Sequence, residues 1–471
     1  MRHLVAVFTA SLFAAFVALT AGCASGPDLP DALAGEKTYL DDMAMESFNA
    51  NLQALSGAVD RGEDDIARGL RTRISENARM YQRALLSALY DDDSRARRAM
   101  AAVLLGFTGD AAVIPALSDV VADIDEEESV RLNAVLGLTE LDDKLRDYKE
   151  HKRLMRVLQA PMVDMTSSVA MRRACVYAYA AAYDGRESET LQPVRGRFTN
   201  DPSIEVQIAA VIALGDINDK DAVPLLVSIG LSHIESEVRA ATAIALGRIT
   251  SPEACIPALS NACRDEDPLT RREALDAISR HHNHNRDLVY NTLVAGLSDF
   301  DSLVRESAAL ALSRLSDTRA IEPLLQATGD RTYIVRQAAA MSLGALITPE
   351  REKEAYALVD LLGDTNPDVQ SAALGSLRMI SKSAEAPGSS DPAVWRVYFH
   401  TKYPETNPAS LYAGKPKPRL QSGINSTGAR RTTQQPNRAP QWNQNRNRNT
   451  QNRNTNWNQN RNTNNRIPNR R

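Results

Sequence analysis

The sequence contains little cysteine and no recognisable catalytic signature. Its 471 residues include only four cysteines, too few to build a disulfide-based scaffold. It has no phosphate-binding glycine loop, no nucleophile elbow and no zincin motif. The composition, 43% hydrophobic and 24% charged, also excludes a collagen-like chain, a polytopic membrane protein and a fully disordered one. We therefore expect a protein that is not an enzyme, with no catalytic residues, no metal and no cofactor.

The N-terminus predicts export. An uncharged run over residues 4–21 follows Arg2, as in a secretory signal; its eighteen residues are also the lower limit for a membrane-spanning anchor. Residues 19–23, Leu-Thr-Ala-Gly-Cys, resemble the lipobox of bacterial lipoproteins. The resemblance implies lipidation of Cys23 after signal cleavage and, because Ala24 follows rather than Asp, an outer-membrane lipoprotein facing the periplasm. An ordinary cleaved signal and an uncleaved anchor are the alternatives.

A ten-residue frame recurs through the middle of the chain. The stretch Val206–Gly215 aligns with Val238–Gly247, and copies begin at residues 97, 130, 171, 206, 238, 270, 304, 335 and 369, on average 34 residues apart. The first, fifth and eighth or ninth positions fall on one helical face, so each copy predicts an amphipathic helix. The fifth position is small in every copy, which we interpret as close backbone approach between stacked helices.

A second apolar helix is predicted between successive frames. Segments such as Ala222–Val227 and Ala320–Leu325 carry a proline near the helix start, where its missing N–H has no partner to lose. The resulting unit resembles the short bacterial HEAT repeats of the phycobilisome-lyase type over residues 91–383, and lacks the tetratricopeptide and ankyrin signatures. The resemblance implies an all-α fold: a superhelical α-solenoid of about nine helix pairs with a long concave surface.

The remaining segments frame this array. We predict the following organisation: a signal peptide at 1–22, a tether at 23–36, an N-terminal helical cap at 37–90, the solenoid at 91–383, a C-terminal capping segment at 384–414 and a disordered tail at 415–471. The tail carries 13 Lys and Arg residues and no acid, so residues 1–414 have a net charge of −17. The near-neutral total of −4 therefore hides an acidic solenoid and a basic tail.

The second frame position is arginine in seven copies. These residues are Arg98, Arg131, Arg172, Arg239, Arg271, Arg305 and Arg336. A row of arginines could bind an anionic ligand, but one per unit is the regularity of a structural ladder, and binding sites usually break such symmetry. The resemblance implies a ladder to Asp or backbone groups of neighbouring turns. The HEAT-like iron hydroxylases bind metal through His-Glu pairs, and this chain has no His-Glu dipeptide.

The tail suggests a second contact. Its candidate contact residues are Arg446, Arg448, Arg453, Trp442 and Trp457. Arginine supplies charge for an anionic surface, such as lipid head groups or an envelope polymer, and tryptophan supplies interfacial anchoring; a solubilising extension is the alternative. The export signal argues against nucleic acid.

Together these features predict a lipid-anchored cell-envelope scaffold that binds protein partners through its repeats. An envelope enzyme or lyase-like assembly factor that uses the concave face is the alternative from another functional class.

Overall fold

The computed structural model describes residues 39–91, 93–186, 188–381 and 386–403. Within these residues the chain is built from α-helices and short 3-10 turns, with no strand. The predicted signal, tether and tail lie outside them, as does the end of the predicted C-terminal capping segment. In the described part of the chain, no helix is both long and apolar enough to cross a membrane.

The α-helices are numbered in chain order. Three N-terminal helices come first: α1 (Asp42–Asp60), α2 (Asp64–Met80) and α3 (Gln82–Asp91). Nine frame helices each carry one copy of the repeat: α4 (Arg95–Phe107), α6 (Glu128–Leu141), α9 (Val169–Ala182), α11 (Ile204–Asp216), α13 (Ser236–Arg248), α15 (Pro268–Arg280), α17 (Ser302–Arg314), α19 (Tyr333–Leu346) and α21 (Pro367–Ile380). Eight connecting helices alternate with them: α5 (Ile114–Ala122), α8 (His151–Val163), α10 (Gln192–Asn200), α12 (Val223–Ser228), α14 (Pro252–Ala262), α16 (Arg286–Gly296), α18 (Ile321–Ala327) and α20 (Tyr356–Leu361). A short α7 (Asp143–Arg146) and a final α22 (Pro392–Lys402) complete the set.

This alternation is the predicted α-solenoid. Each frame helix packs against the next frame helix and against the connecting helix that precedes it. Nearest-neighbour packing of this kind lets one hydrophobic core run from unit to unit, and the buried residues of the described chain do form one such cluster from Leu40 to Phe399. The prediction of an all-α solenoid is confirmed.

Side-chain caps mark the starts of some frame helices. Asp301 accepts hydrogen bonds from the amides of Leu303 and Val304 at 2.8 and 3.3 Å, and Asp267 accepts one from Thr270 at 2.9 Å. Such caps satisfy N–H groups that have no partner within the helix. The turn aspartates therefore fix where α15 and α17 begin.

In several frames the tenth position is a glycine that faces the next frame helix. A Cβ added to Gly247 would lie 2.6 Å from the Cβ of Ala277, and one added to Gly215 would lie 2.6 Å from the Cα of Ala245. Both distances are shorter than real Cβ contacts. The glycine thus permits the backbones of neighbouring frame helices to approach each other closely.

The small fifth position allows close approach within a unit. Thr242 and Ala308 are buried and face a glycine of the connecting helix or its turn in the same unit: a Cβ at Gly230 would be 2.5 Å from Thr242 Oγ1, and one at Gly296 would be 2.9 Å from Ala308 Cβ. The fifth position therefore controls packing within a unit at these sites. The expected close approach is present at these two sites, between the frame helix and the connecting segment of the same unit.

The irregular 41-residue spacing before the third frame has a structural origin. It accommodates the extra helix α7. Asp142, the residue before this helix, has a positive φ of 30°. Leu145 of this helix is fully buried. The insertion therefore packs onto the solenoid and leaves the stacking of frame helices intact.

We predict that the glycine contacts between frame helices limit stability. Gly247→Ala should destabilise the protein by about 1–3 kcal/mol, because the new methyl group overpacks a backbone contact. Gly375→Ala is the matched control: it lies in frame helix α21 with nothing within 4 Å of its added Cβ, so it should be neutral or stabilising by up to about 1 kcal/mol. Urea midpoints of the two variants measure this difference, and equal midpoints would refute the role of Gly247.

Candidate functional site

Five of the seven predicted arginines pair with aspartate in the following turn. Arg172, Arg239, Arg271, Arg305 and Arg336 each donate through Nε and Nη2 to both carboxylate oxygens, at 2.7–3.0 Å. Their partners are Asp201, Asp265, Asp299, Asp330 and Asp364. Two parallel charge-assisted bonds use the planar fork of the guanidinium group. Each pair joins one unit to the next.

The third nitrogen of the same arginines extends this link. Nη1 of Arg271 donates to the carbonyl of Asp265 at 2.9 Å, and Nη1 of Arg305 donates to that of Asp299 at 2.8 Å. Asp299 therefore accepts one arginine at its carboxylate and the next at its carbonyl. We call this connected series of arginines and turn aspartates the arginine ladder. It is continuous from Arg239 to Asp364.

The turn aspartates also hold their own turns. Oδ1 of Asp330 accepts the amide of Thr332 at 2.8 Å in addition to the two Arg305 bonds. Burial raises the pKa of this carboxyl, but the Arg305 guanidinium and the Thr332 amide lower it by more than burial raises it. The pKa of Asp330 therefore lies below the ordinary value. The Arg336 guanidinium likewise holds the pKa of Asp364 below its usual range. These carboxylates are stabilised in their charged form.

The ladder departs from this pattern near its start. Arg98 pairs with Glu126 through two 2.9 Å bonds, and Arg131 donates to the carbonyl of Val121 at 3.2 Å. Six of the seven predicted arginines thus contact the turn that follows, five of them with the aspartate geometry, whereas Arg131 contacts the connecting helix that precedes its own frame helix.

The ladder also changes where glutamine replaces arginine. Gln207 donates to the carbonyl of Asp201 at 2.7 Å, and the position of the next turn aspartate is occupied by His233. His233 Nδ1 accepts the amide of Glu235 at 3.1 Å, as the carboxylate of Asp330 accepts that of Thr332. His233 therefore retains the hydrogen bond within its turn, but Gln207 and His233 do not form the charged pair that joins other units.

We predict that a buried ladder pair contributes far more than an exposed ion pair. Asp330→Asn should destabilise the protein by about 3–5 kcal/mol, because the Arg305 side chain, 4% exposed, would retain an uncompensated buried charge. Asp287→Asn breaks a pair whose aspartate is 79% exposed and should cost less than about 1 kcal/mol. Chemical denaturation of both variants tests this, and comparable losses would contradict it.

A polar cluster at the C-terminal end was not evident from the sequence. Buried Glu352 accepts hydrogen bonds from Lys402 Nζ at 2.6 Å, Tyr398 OH at 2.8 Å and Tyr403 OH at 2.6 Å. Burial raises the pKa of Glu352, but these donors lower it to below the ordinary value. Trp395 is fully buried beside them. The cluster fastens α22 to the last unit, which makes it a structural feature of the chain end.

An acidic cleft lies near the first units. It has a volume of about 410 Å³ and is lined by Tyr90, Asp93, Asp119, Asp123 and Glu126, among others. Asp119 pairs with Arg153 at 2.7 Å on its rim. Arg98 also lines the cleft and pairs with Glu126 at 2.9 Å, and the remaining carboxylates give the cleft an excess of negative charge.

Cys255, Cys263 and His281 occupy packing positions in the solenoid. Burial raises the pKa of the Cys255 thiol to about 11 and that of Cys263 to about 12. His281 is buried, with Nε2 3.0 Å from the carbonyl of Leu246, and burial lowers its pKa. Among the described residues, no group of three His, Cys, Asp or Glu side chains could hold a metal ion.

Cys23 and the tail residues lie outside the described part of the chain. These tail positions are Arg446, Arg448, Arg453, Trp442 and Trp457. The predicted lipidation and tail contacts stay predictions.

The geometry and the sequence together define the class of protein as an α-solenoid. Residues 191–279, 256–344 and 290–378 match the family model described as HEAT repeats. The units of this stretch are therefore HEAT repeats, as the resemblance implied. No curated protein matches the sequence.

Several solved structures are similar to the chain. A chain in the complex of Kap95p with RanGDP has 16% identity and a TM-score of 0.46; the alignment covers 81% of this chain and 52% of that one, about half its length. An engineered protein has 20% identity, 70% and 95% coverage and a TM-score of 0.38. Human deoxyhypusine hydroxylase has 20% identity, 57% and 96% coverage and a TM-score of 0.25. None of these three alignments reaches a TM-score of 0.5, so the assignment to HEAT repeats depends on the family model.

Proposed function

We propose that the protein is a non-enzymatic, lipid-anchored scaffold of the bacterial cell envelope that binds protein partners through its HEAT-repeat surface. The observation that carries this proposal is the repeat array itself. Stacked units of this kind offer an extended surface and are suited to binding other proteins.

The proposed cellular location depends on the N-terminal sequence. The uncharged run over residues 4–21 and the lipobox-like sequence that ends at Cys23 support lipidation and attachment to the outer membrane, on its periplasmic side. Each buried CH₂ of an acyl chain contributes about 0.8 kcal/mol of membrane affinity, and two or more chains give stable anchoring. The scaffold would thus be held at the membrane while its repeats face the aqueous compartment.

The proposed second contact depends on the tail. Its 13 basic residues and absence of acids support attraction to an anionic surface, either lipid head groups or an envelope polymer. Trp442 and Trp457 would add interfacial anchoring. The partner proteins bound by the solenoid are a separate class of ligand.

An envelope enzyme or lyase-like assembly factor is the second candidate. The acidic cleft is the specific feature that favours it, because it brings Asp93 and Asp123 close to the paired Glu126. Turnover of an envelope substrate by the purified protein, lost on Asp123→Asn, would replace the scaffold proposal.

The proposal predicts that Cys23→Ala moves the protein from the membrane to the soluble fraction and abolishes incorporation of labelled fatty acid. Cys263→Ala is the matched control, since this cysteine lies within the solenoid, and it should leave both readouts unchanged.

In-cell crosslinking of the anchored protein should recover partners joined to residues of the solenoid. Deletion of residues 415–471 should keep those crosslinks and weaken retention on anionic liposomes at low salt.

Three outcomes would contradict parts of this account. A soluble cytoplasmic protein that retains Met1 removes the envelope address. Crosslinks confined to the tail remove the scaffold role of the solenoid. Unchanged liposome retention after the deletion leaves the tail as a spacer.

A further inference from the structure

The three most exposed large apolar side chains of the described residues occupy the same repeat position. Ile234 is 88% exposed, Ile124 is 81% exposed and Phe300 is 77% exposed. Each directly follows the first residue of its turn, namely His233, Asp123 or Asp299. In the repeat, these three first residues align with the aspartates of the arginine ladder. Met165, 48% exposed, stands at the equivalent place after Asp164. Exposure at one repeated position indicates a surface feature of the array.

These side chains belong to a row of turns. Each of eight turns leads from a connecting helix, or from the turn after it, into the next frame helix. We call the row of these turns the turn edge. It consists of residues 123–127, 164–168, 201–203, 233–235, 265–267, 299–301, 330–332 and 364–366. The arginine ladder joins neighbouring turns along much of the row, and the Ser168 amide bonds to Glu128 at 3.0 Å near its start. Since packed helices lie about 8–10 Å apart, Ile234 and Phe300, two units apart, are separated by roughly 20 Å.

The ladder also holds the backbone that presents these side chains. Nη1 of Arg305 donates to the carbonyl of Phe300 at 3.1 Å, and Nη1 of Arg239 donates to that of Ile234 at 3.1 Å. The backbone at Ile234 and Phe300 is therefore already held in place before a partner binds. A fixed backbone lowers the entropic cost of association.

The turn edge is strongly acidic. Every one of its eight turns contains at least one Asp or Glu, and Arg331 is its sole Lys or Arg residue. Arginines of the frame helices neutralise six of these carboxylates, and the others leave the edge with an excess of negative charge. Asp125, Glu235 and Glu266 are exposed there; Glu266 also lies 3.5 Å from Nη2 of Arg239. The acidic cleft of about 410 Å³ opens at the same end as Ile124, with Asp123 in its wall. Apolar side chains are thus spaced among carboxylates.

We propose that the turn edge binds a cationic polypeptide segment that also carries apolar side chains. Its Lys or Arg residues would meet the carboxylates and the cleft, and its aliphatic or aromatic residues would cover Ile124, Ile234 and Phe300. Charge complementarity selects this occupant: an anionic lipid surface and a second copy of the same acidic edge would both be repelled. The inference rests on the proposed scaffold function and names the chemistry of its partner.

The test uses a fluorescein-labelled peptide of six Arg-Leu-Ser triplets. Its 18 residues extend to about 60 Å at roughly 3.3 Å per residue, enough to reach from Ile124 to Phe300. Fluorescence anisotropy with the full chain should show binding that weakens with salt. The variant Ile124→Ser/Ile234→Ser/Phe300→Ser should raise the Kd at least tenfold.

Two further variants separate the contributions. Met43→Ser/Val397→Ser removes exposed apolar side chains outside the turn edge and should change the Kd less than twofold. Asp125→Asn/Glu235→Gln/Glu266→Gln should weaken binding at low salt and reduce its salt dependence. A peptide with Glu in place of Arg should not bind.

The overturning results are equally specific. Peptide binding that is the same for the triple serine variant and for the wild type refutes the inference. Vesicles of phosphatidylglycerol and phosphatidylcholine whose binding depends on the three apolar residues would make the edge a lipid surface, and self-association lost in the triple variant would make it a contact between copies. If the peptide does not bind but solenoid crosslinks persist in the envelope, only this inference fails; loss of those crosslinks removes the scaffold proposal itself.

Discussion

The bidentate pair between an arginine of one unit and an aspartate of the next turn is the interaction on which the repeat array depends. In the Arg305–Asp330 pair the two side chains are 4% and 2% exposed, and the same carboxylate also accepts the Thr332 amide. Removal of either partner would leave a buried charge with donors or acceptors unsatisfied. Lysine could not replace arginine, because it lacks the fork that reaches both the carboxylate and the preceding turn. The ladder thus fixes one unit relative to the next.

The same geometry links stability to the proposed surface. The arginine that pairs with the next turn also bonds to the backbone of its own turn, so residues such as Phe300 are presented on a rigid frame. Glycines such as Gly247 let neighbouring frame helices approach closely, which keeps successive turns within reach of the ladder. Contacts between neighbours therefore suffice to align a long row of side chains. A scaffold surface arises from repetition of one local arrangement.

Regular features of the sequence predicted regular features of the structure. The nine frame helices and the arginines at their second positions could be located because each recurs in register. The partner of each arginine could not be chosen by the same means, since Arg98 uses Glu126 and Arg131 uses the carbonyl of Val121. These exceptions depend on the shape of individual turns, which periodicity does not encode.

Other features escaped prediction because they join distant residues or distinguish neighbouring surfaces. Glu352 accepts hydrogen bonds from Lys402 and Tyr403, which lie about 50 residues away in the sequence. These residues belong to no repeated pattern, so the sequence did not predict the cluster. The fifth frame position was correctly seen to be small, but its contact lies within a unit at Thr242 and Ala308. Exposure of Ile234 likewise follows from the path of its turn, because an apolar residue in the sequence alone would suggest burial.

The missing pair between Gln207 and His233 offers the most direct test of the ladder. These residues are 26 apart in sequence, the same separation as Arg239 and Asp265. A double-mutant cycle with Gln207→Arg and His233→Asp, measured by chemical denaturation, should give a favourable coupling free energy of about 1–3 kcal/mol, because the new side chains can form the charged pair that other units contain. Strictly additive effects of the two substitutions would contradict the claim that this pair holds successive units together.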